Sequence, residues 1–316
     1  LPYCVKYGRT ILIALVPFML MNIFQSFLVT AELPHYGLII TIASGVVNVI
    51  LDALFVAVFK FGVIGAAVAT GISQAIGGFI PLFIFIFSKK SKLHLGRTHF
   101  SKKALLKSCA NGSSEFMSNV AVSLVNMLYN WQLMKLLGHN GVTSYGVIMY
   151  VNYIFLSIFF GYSIGSSPVV GYHYGAGNTD ELKGLFKKSI RIILVSSVVL
   201  TLTAELLAAP LSKIFVSYDK DLLKATTHAF AIYSASFLIA GINIYASSFF
   251  TALNDGLTSA IISFFRTLVF QVIAVIVLPL IFGSQGIWFA IIAAEALSLL
   301  LSLFFIVSKR KKYSYY

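Results

Sequence analysis

Four carboxylates and one guanidinium interrupt long apolar runs in this chain: Asp52, Glu115, Glu205, Glu295 and Arg266. On insertion scales an ionisable side chain at the centre of a bilayer costs about 2.5–3.5 kcal/mol, so each of these needs a partner, a water-filled cavity or a task. Asn48 lies four residues before Asp52 and shares its helical face. Thr70 follows on the next run, eight residues beyond Gly62, and reaches a similar depth. An amide oxygen, a carboxylate and a hydroxyl are hard oxygen donors. They suit a small metal cation such as Na+, and they equally suit a carboxyl that takes up and releases H+. The competing role for Asp52 is structural, capping nearby backbone or packing against Asn48.

Glu115 sits about a dozen residues into its run, near the midplane at about 1.5 Å per residue. Its surroundings, NGSSEFMSN, are small and polar, as a cavity-facing helix would be. It is a candidate for attracting a cationic substrate or for coupling; the alternative is a carboxyl satisfied by neighbouring Ser or Asn. Arg266 and Glu295 fall at comparable depth on consecutive runs, and the simpler reading is a structural ion pair. Losing one member would strand a buried charge. Glu205 is assigned no role. Asn119, Asn126, Tyr129, Asn130 and Trp131 share one helix, where aromatic faces could meet apolar cations or serve only as packing and interfacial anchors.

The elements that must position these groups are membrane spans. Of 316 residues, 59% are hydrophobic and 10% charged, against about 25% charged in a soluble domain. Mean hydropathy is +0.91. Runs of about 20 apolar residues cross a bilayer as helices. They are expected near 9–31, 36–58, 62–88, 104–136, 142–171, 189–216, 222–252, 257–282 and 285–308, nine in all. Small residues are spread through them and strict alternation is missing, which argues for helices over barrel strands.

The formal net charge of +13 is concentrated between the runs. Seven Lys and Arg fall in 89–107, four in 183–191 and four in 309–312, which is 15 of 23 on one side if the spans alternate. This pattern fits an anionic cytoplasmic leaflet and its lipids, not nucleic acid, and places the C-terminus in the cytoplasm. The two cysteines, Cys4 and Cys109, imply neither a disulfide nor a metal site. GYHYGAGNTDEL at 171–182 is glycine-rich but follows a span and lacks the Lys-Ser/Thr ending of a phosphate loop. It reads as a tight turn at Gly175 and Gly177, with Asn178 capping the next helix and Glu181 completing a capping box.

The chain also repeats at one offset. Ser26, Thr30 and Ala31 match Ser247, Thr251 and Ala252, and Phe61, Gly62 and Gly65 match Phe282, Gly283 and Gly286, always 221 residues apart. The second copy then begins near Lys103, and its first three spans have no partner. The arithmetic predicts three further spans ahead of Leu1 and an intact protein of six plus six helices, as two parallel repeats. The organisation expected is 1–88 as the last three helices of a first lobe, 89–103 as a basic inter-lobe loop, 104–308 as a six-helix second lobe and 309–316 as a basic tail.

NVILDALF at 48–55, FGVIGAAVATGISQ at 61–74, PVVGYHYGAGN at 168–178 and FGSQGIWFAIIAAE at 282–295 together resemble the multidrug and toxic compound extrusion (MATE) family of secondary transporters. The resemblance covers essentially the whole chain, as the family's fourth to twelfth helices. It implies an all-α, two-lobe membrane bundle that exports a broad range of organic substrates by alternating access in exchange for Na+ or H+, with no cofactor beyond the coupling ion; the intramembrane acids outnumber Arg266, which favours cationic cargo. It maps the first lobe's ion site onto Asn48, Asp52 and Thr70, and an acid facing the second lobe's cavity onto Glu115. A monomeric multi-pass protein of a bacterial plasma membrane is expected. The alternatives are a lipid-linked oligosaccharide flippase of the same superfamily and a non-transporting receptor or scaffold. No Ser/His/Asp or His-rich constellation supports an enzyme.

Overall fold

The computed structural model describes residues 2–87, 96 and 100–316, with the side chains of 2–4, 30, 104, 107, 108 and 110–118 left out. Most of the basic run 89–103 therefore lies outside the described residues. All regular structure in them is helical. The α-helices are α1 (Pro2–Ile13), α2 (Leu15–Thr30), α3 (Pro34–Asp52), α4 (Gly62–Phe87), α5 (Lys102–Gly175), α6 (Thr179–Val216), α7 (Lys220–Ser234), α8 (Phe237–Ala252), α9 (Gly256–Phe264), α10 (Phe270–Phe282) and α11 (Gly286–Tyr313). Two π-helical segments, Ala53–Val58 and Phe265–Val269, continue α3 and join α9 to α10.

Among the described residues five stretches are long and apolar enough to cross a membrane, and two bent pairs bring the number to seven. Two of the five, Asn119–Gly175 with 57 residues and Gly256–Tyr313 with 58, are far too long for one crossing. Each doubles back, which gives nine passes. The loop expected at 137–141 is a single-residue break at Gly138, with φ 64° and ψ −153°. Nineteen residues of straight helix would separate Asn126 from Tyr145 by about 28 Å. Instead the Tyr145 hydroxyl donates to Asn126 Oδ1 at 2.7 Å, so the arms of α5 lie side by side. The bends are 47° between α1 and α2 and 46° between α7 and α8.

The chain divides into two units, 1–101 and 102–316. In the first, α4 packs against α1, α2 and α3 around Phe24, Leu28, Ala31, Ile40 and Phe85. Close approach requires glycine: a Cβ on Gly78 would stand 2.6 Å from the Pro17 carbonyl oxygen. Polar side chains set the register. Gln25 donates to the Gly37 carbonyl and to Thr41, tying α2 to α3, and Ser44 Oγ donates to the Ser73 carbonyl at 2.6 Å, tying α3 to α4.

The second unit holds α5–α11 and two apolar clusters. One includes Tyr129, Leu133, Ile148, Phe237, Val275 and Trp288. The other gathers Phe186, Tyr245, Phe249 and Phe250 with Tyr313 and Tyr315 from the basic tail. Tyr315 has no exposed surface and donates to the Ile306 carbonyl. Asp255 lies outside the spans. It caps α9 by accepting from the Thr258 amide and also accepts from Lys309 Nζ at 3.0 Å and Tyr313 Oη at 2.7 Å. Burial would raise its pKa, but the hydrogen bonds from Tyr313, Lys309 and Thr258 outweigh that and lower it to about 2. The turn at 176–178 departs from the capping box expected. Gly177 has φ 70°, but Asn178 makes no side-chain cap. Backbone bonds close the turn, from Asn178 N to the His173 oxygen and from Leu182 N to the Asn178 oxygen.

Candidate functional site

In the first unit the Ser44–Ser73 contact aligns the antiparallel helices α3 and α4. One turn beyond Ser44 is Asn48; one turn before Ser73 is Thr70, whose carbonyl accepts from Ser73 Oγ at 2.8 Å. Asp52 ends α3, and the backbone then widens into the π segment Ala53–Val58. Such segments occur frequently at functional sites. All three side chains are half-buried. Asp52 Oδ1 and Asn48 Nδ2 are buried and make no hydrogen bond. A buried carboxylate oxygen without a donor is costly, and a bound proton or small cation relieves that cost directly. A half-turn of the Asn48 amide presents its oxygen to a cation in place of its nitrogen. The donor set therefore fits Na+ or H+.

The second unit contains a cavity of about 730 Å3. The two arms of α5 supply Asn119, Asn126, Tyr129 and Tyr145, then Asn152, Tyr153 and Phe160; Tyr233 comes from α7, Arg266 from the π segment, Gln271 from α10 and Glu295 from α11. Tyr129 and Tyr145 stack with centroids 5.1 Å apart and 9° between planes. Tyr129 Oη donates to Gln271 Oε1 at 3.1 Å. The wall is thus aromatic and amide-rich, the composition of an organic-ligand pocket, and its volume lies within the range of about 300–1,000 Å3 usual for one.

At one side of this cavity Arg266 holds Glu295 in a fork. Nε donates to both carboxylate oxygens, at 2.9 and 3.0 Å, and Nη2 donates to Oε1 at 2.7 Å. Behind them Asn243, fully buried on α8, donates through Nδ2 to Glu295 Oε2 at 2.7 Å and to the Glu295 carbonyl at 3.0 Å, while its Oδ1 accepts from Ser302. Bidentate, charge-assisted bonds of this kind fix geometry as well as charge. Glu295 is thereby saturated, whereas Arg266 Nη1 makes no hydrogen bond among the described residues.

The remaining candidates fall elsewhere. The Glu115 side chain lies outside the described residues, although its backbone is helical. Glu205 accepts from Ser234 Oγ at 2.5 Å, beside the bend between α7 and α8. Of the five polar and aromatic residues noted on one helix, Asn119, Asn126 and Tyr129 line the cavity. Asn130 donates to the Asn126 carbonyl, and Trp131 is exposed with Lys135 Nζ 5.6 Å from its ring centroid. Sequence reasoning missed Asn243, Asn152 and Gln271. The 221-residue offset marks the first of these, because it pairs Asn243 with Asn22; the same offset pairs Arg266 with Gly45 and Glu295 with Gln74. Asn152 and Gln271 carry no such signal.

The family model described as MatE matches residues 116–277. Among curated relatives, the multidrug export protein MepA of Staphylococcus haemolyticus is 25% identical over 286 residues, which is 88% of this chain and 61% of that protein. MepA of Staphylococcus aureus strain MSSA476 is 23% identical over 282 residues, with the same two coverages. This chain therefore spans somewhat under two thirds of the length of these relatives. Two solved structures share the fold across 98% of the chain. A MATE in complex with MaL6 has a TM-score of 0.88 at 19% identity, covering 70% of that chain. The outward-facing conformation of a multidrug resistance MATE family transporter of the MOP superfamily has 0.87 at 20%, covering 69%.

Proposed function

This chain belongs to the MatE family of multi-pass membrane transporters, and on that premise we propose that the protein exports organic molecules by antiport, driven by Na+ or H+. The similarity to MepA, a multidrug export protein, supports export as the activity. The observation that carries the coupling role is the pair of buried, unpartnered polar atoms on Asp52 and Asn48, beside a π-helical segment. Asp52 is the coupling carboxylate, and Asn48 and Thr70 are its ligands or hydrogen-bond partners. When Asp52 takes up the ion, a destabilising orphan charge becomes a satisfied one. That difference lets an ion gradient bias one lobe arrangement over another. A membrane potential adds about 2.3 kcal/mol per charge per 100 mV. The intramembrane acids Asp52, Glu115, Glu205 and Glu295 outnumber Arg266, which favours cationic cargo. The working protein is a monomer in the bacterial plasma membrane, surrounded by lipid, with its C-terminus in the cytoplasm.

The test is dye efflux from vesicles carrying the protein, under a sodium gradient and separately under a pH gradient. Asp52→Asn should abolish whichever ion-dependent efflux the unaltered protein shows, with normal insertion and folding. Efflux that survives the substitution undiminished overturns the coupling role.

A further inference from the structure

Glu205 is the one intramembrane acid to which the export reading gives no task. It lies on α6 between two flanking cations, fourteen residues (about 21 Å) after Arg191 and eight residues (about 12 Å) before Lys213. It is exposed, as are Leu202 and Leu206 beside it. On a membrane span that face meets hydrocarbon, where a bare carboxylate is costly. Among the described residues no Lys, Arg or His is ion-paired with it.

The hydroxyl that meets Glu205 has a second partner. Ser234 Oγ stands 2.5 Å from Glu205 Oε1 and 2.8 Å from the Ala231 carbonyl oxygen. A carbonyl only accepts, and a serine hydroxyl has a single hydrogen to give. An ionised Glu205 and the Ala231 carbonyl would compete for that hydrogen. A protonated Glu205 satisfies both contacts: its O–H donates to Ser234 Oγ, and the Ser234 O–H donates to Ala231. The carbonyl needs this partner because the helix breaks there. In an unbroken helix the Ala235 amide would bond it; instead that amide goes to the Ile232 oxygen at 3.3 Å, at the 46° bend between α7 and α8.

We propose that Glu205 is a proton-binding site of the second unit, and that its bound proton completes a chain through Ser234 to Ala231 that pins the α7–α8 bend to α6. Release of the proton to solvent draws the Ser234 hydrogen to the carboxylate and strands the Ala231 carbonyl, so the bend loosens. The site is separate from Asp52 and stands whichever ion drives export. α6 packs against α5, α7 and α8. α8 carries no acid, Lys, Arg or His, and its Tyr245 packs beside Phe186, nineteen residues before Glu205 on α6. α7 brings Tyr233, next to Ser234, and His228, six residues or about 9 Å along the axis from it. α5 brings Tyr153 and Tyr150, the latter stacked on Phe215, and also Glu115, whose side chain lies outside the described residues. His228 is the group among these whose ordinary titration lies nearest neutrality, and the test controls for it.

The test is infrared spectroscopy and amide hydrogen exchange on the 316-residue chain in phospholipid vesicles, with no ion gradient. At neutral pH the unaltered chain should show a protonated-carboxyl C=O band that Glu205→Gln removes. Ser234→Ala should move that band to higher frequency, because the acid loses its acceptor. Raising the pH should erase the band and, after correction for the intrinsic rate, speed exchange of the amides of 235–240 about tenfold. Glu205→Gln keeps an N–H donor for Ser234 and should hold exchange slow at every pH, whereas Glu205→Leu should be fast at every pH. His228→Gln should respond to pH as the unaltered chain does. A band that Glu205→Gln leaves in place, or exchange that quickens as the pH falls instead, means an ionised Glu205 accepting from Ser234 and overturns the proposal. So does a pH response that His228→Gln abolishes.

Discussion

Asp52 and Glu295 are both carboxylates inside membrane spans, and the structure treats them in opposite ways. Asp52 has a buried oxygen that meets no donor, next to an amide nitrogen that meets no acceptor. Glu295 accepts from Arg266 and Asn243 at both oxygens. Each belongs to a three-span bundle related by the same sequence offset, and each bundle has one span that slips into π-helix: just after Asp52 in the first, at Arg266 in the second. The repeat thus kept the scaffold and separated the chemistry. An unsatisfied carboxylate is a place where an ion changes the energy most. A saturated one is a place where little changes, and its use lies in anchoring neighbours.

That contrast can be broken most sharply at Asp52. Asp52→Asn should remove ion-coupled efflux entirely yet leave thermal stability in detergent unchanged or slightly raised, because no bond from Oδ1 is lost. A fall in stability comparable to that of a broken ion pair would erase the distinction. At the other site the stability loss is the signal: Glu295→Ala should destabilise the second unit by about 3–5 kcal/mol, read as a lowered unfolding midpoint, and R266Q/E295Q should recover most of it. A smaller contrast separates the repeat partners. Asn243→Leu strands groups on Glu295 and Ser302 and should cost about 1–3 kcal/mol. Asn22→Leu should cost a few tenths of that at most, since Asn22 is exposed and donates only to the Phe18 carbonyl of its own helix. A further modest effect concerns Asp255. Its pKa is lowered from 3.8 to about 2, so its ionised form stabilises the fold above 3.8 and that contribution is lost as the pH falls through about 2. Asp255→Asn should flatten this acid limb of a stability–pH curve while costing about 1 kcal/mol at neutral pH.

The spans were legible because apolar length is a strong signal, and the turns at 31–33, 59–61, 176–178 and 253–255 fall where polar or glycine residues interrupt it. The bends were not. Ala14 and Ala235 sit within runs as apolar as their surroundings, and packing rather than composition decides where those helices break. Arg266 and Glu295 could be paired from depth alone, because two opposite charges in hydrocarbon have few other partners. The cavity beside them could not. It requires knowing that the arms of α5 fold back at Gly138, bringing Asn126 and Asn152 to one space. A sequence shows Asn152 as one more polar residue in an aromatic stretch.

Tyr315 adds a condition on how the second unit is made. Its ring fills the cluster formed by Phe186, Phe249 and Phe250, with centroids 5.1 Å from the first two. α6 and α8 leave the ribosome long before that ring does. Domains are generally completed as units in the order of synthesis, so this cluster must stay open while α9, α10 and α11 are being delivered to the membrane. The side chain that closes it arrives only after α11. Translation that stops at Lys312 would deliver α5 to α10 and nearly all of α11 to the membrane and leave a hole where the Tyr315 ring belongs.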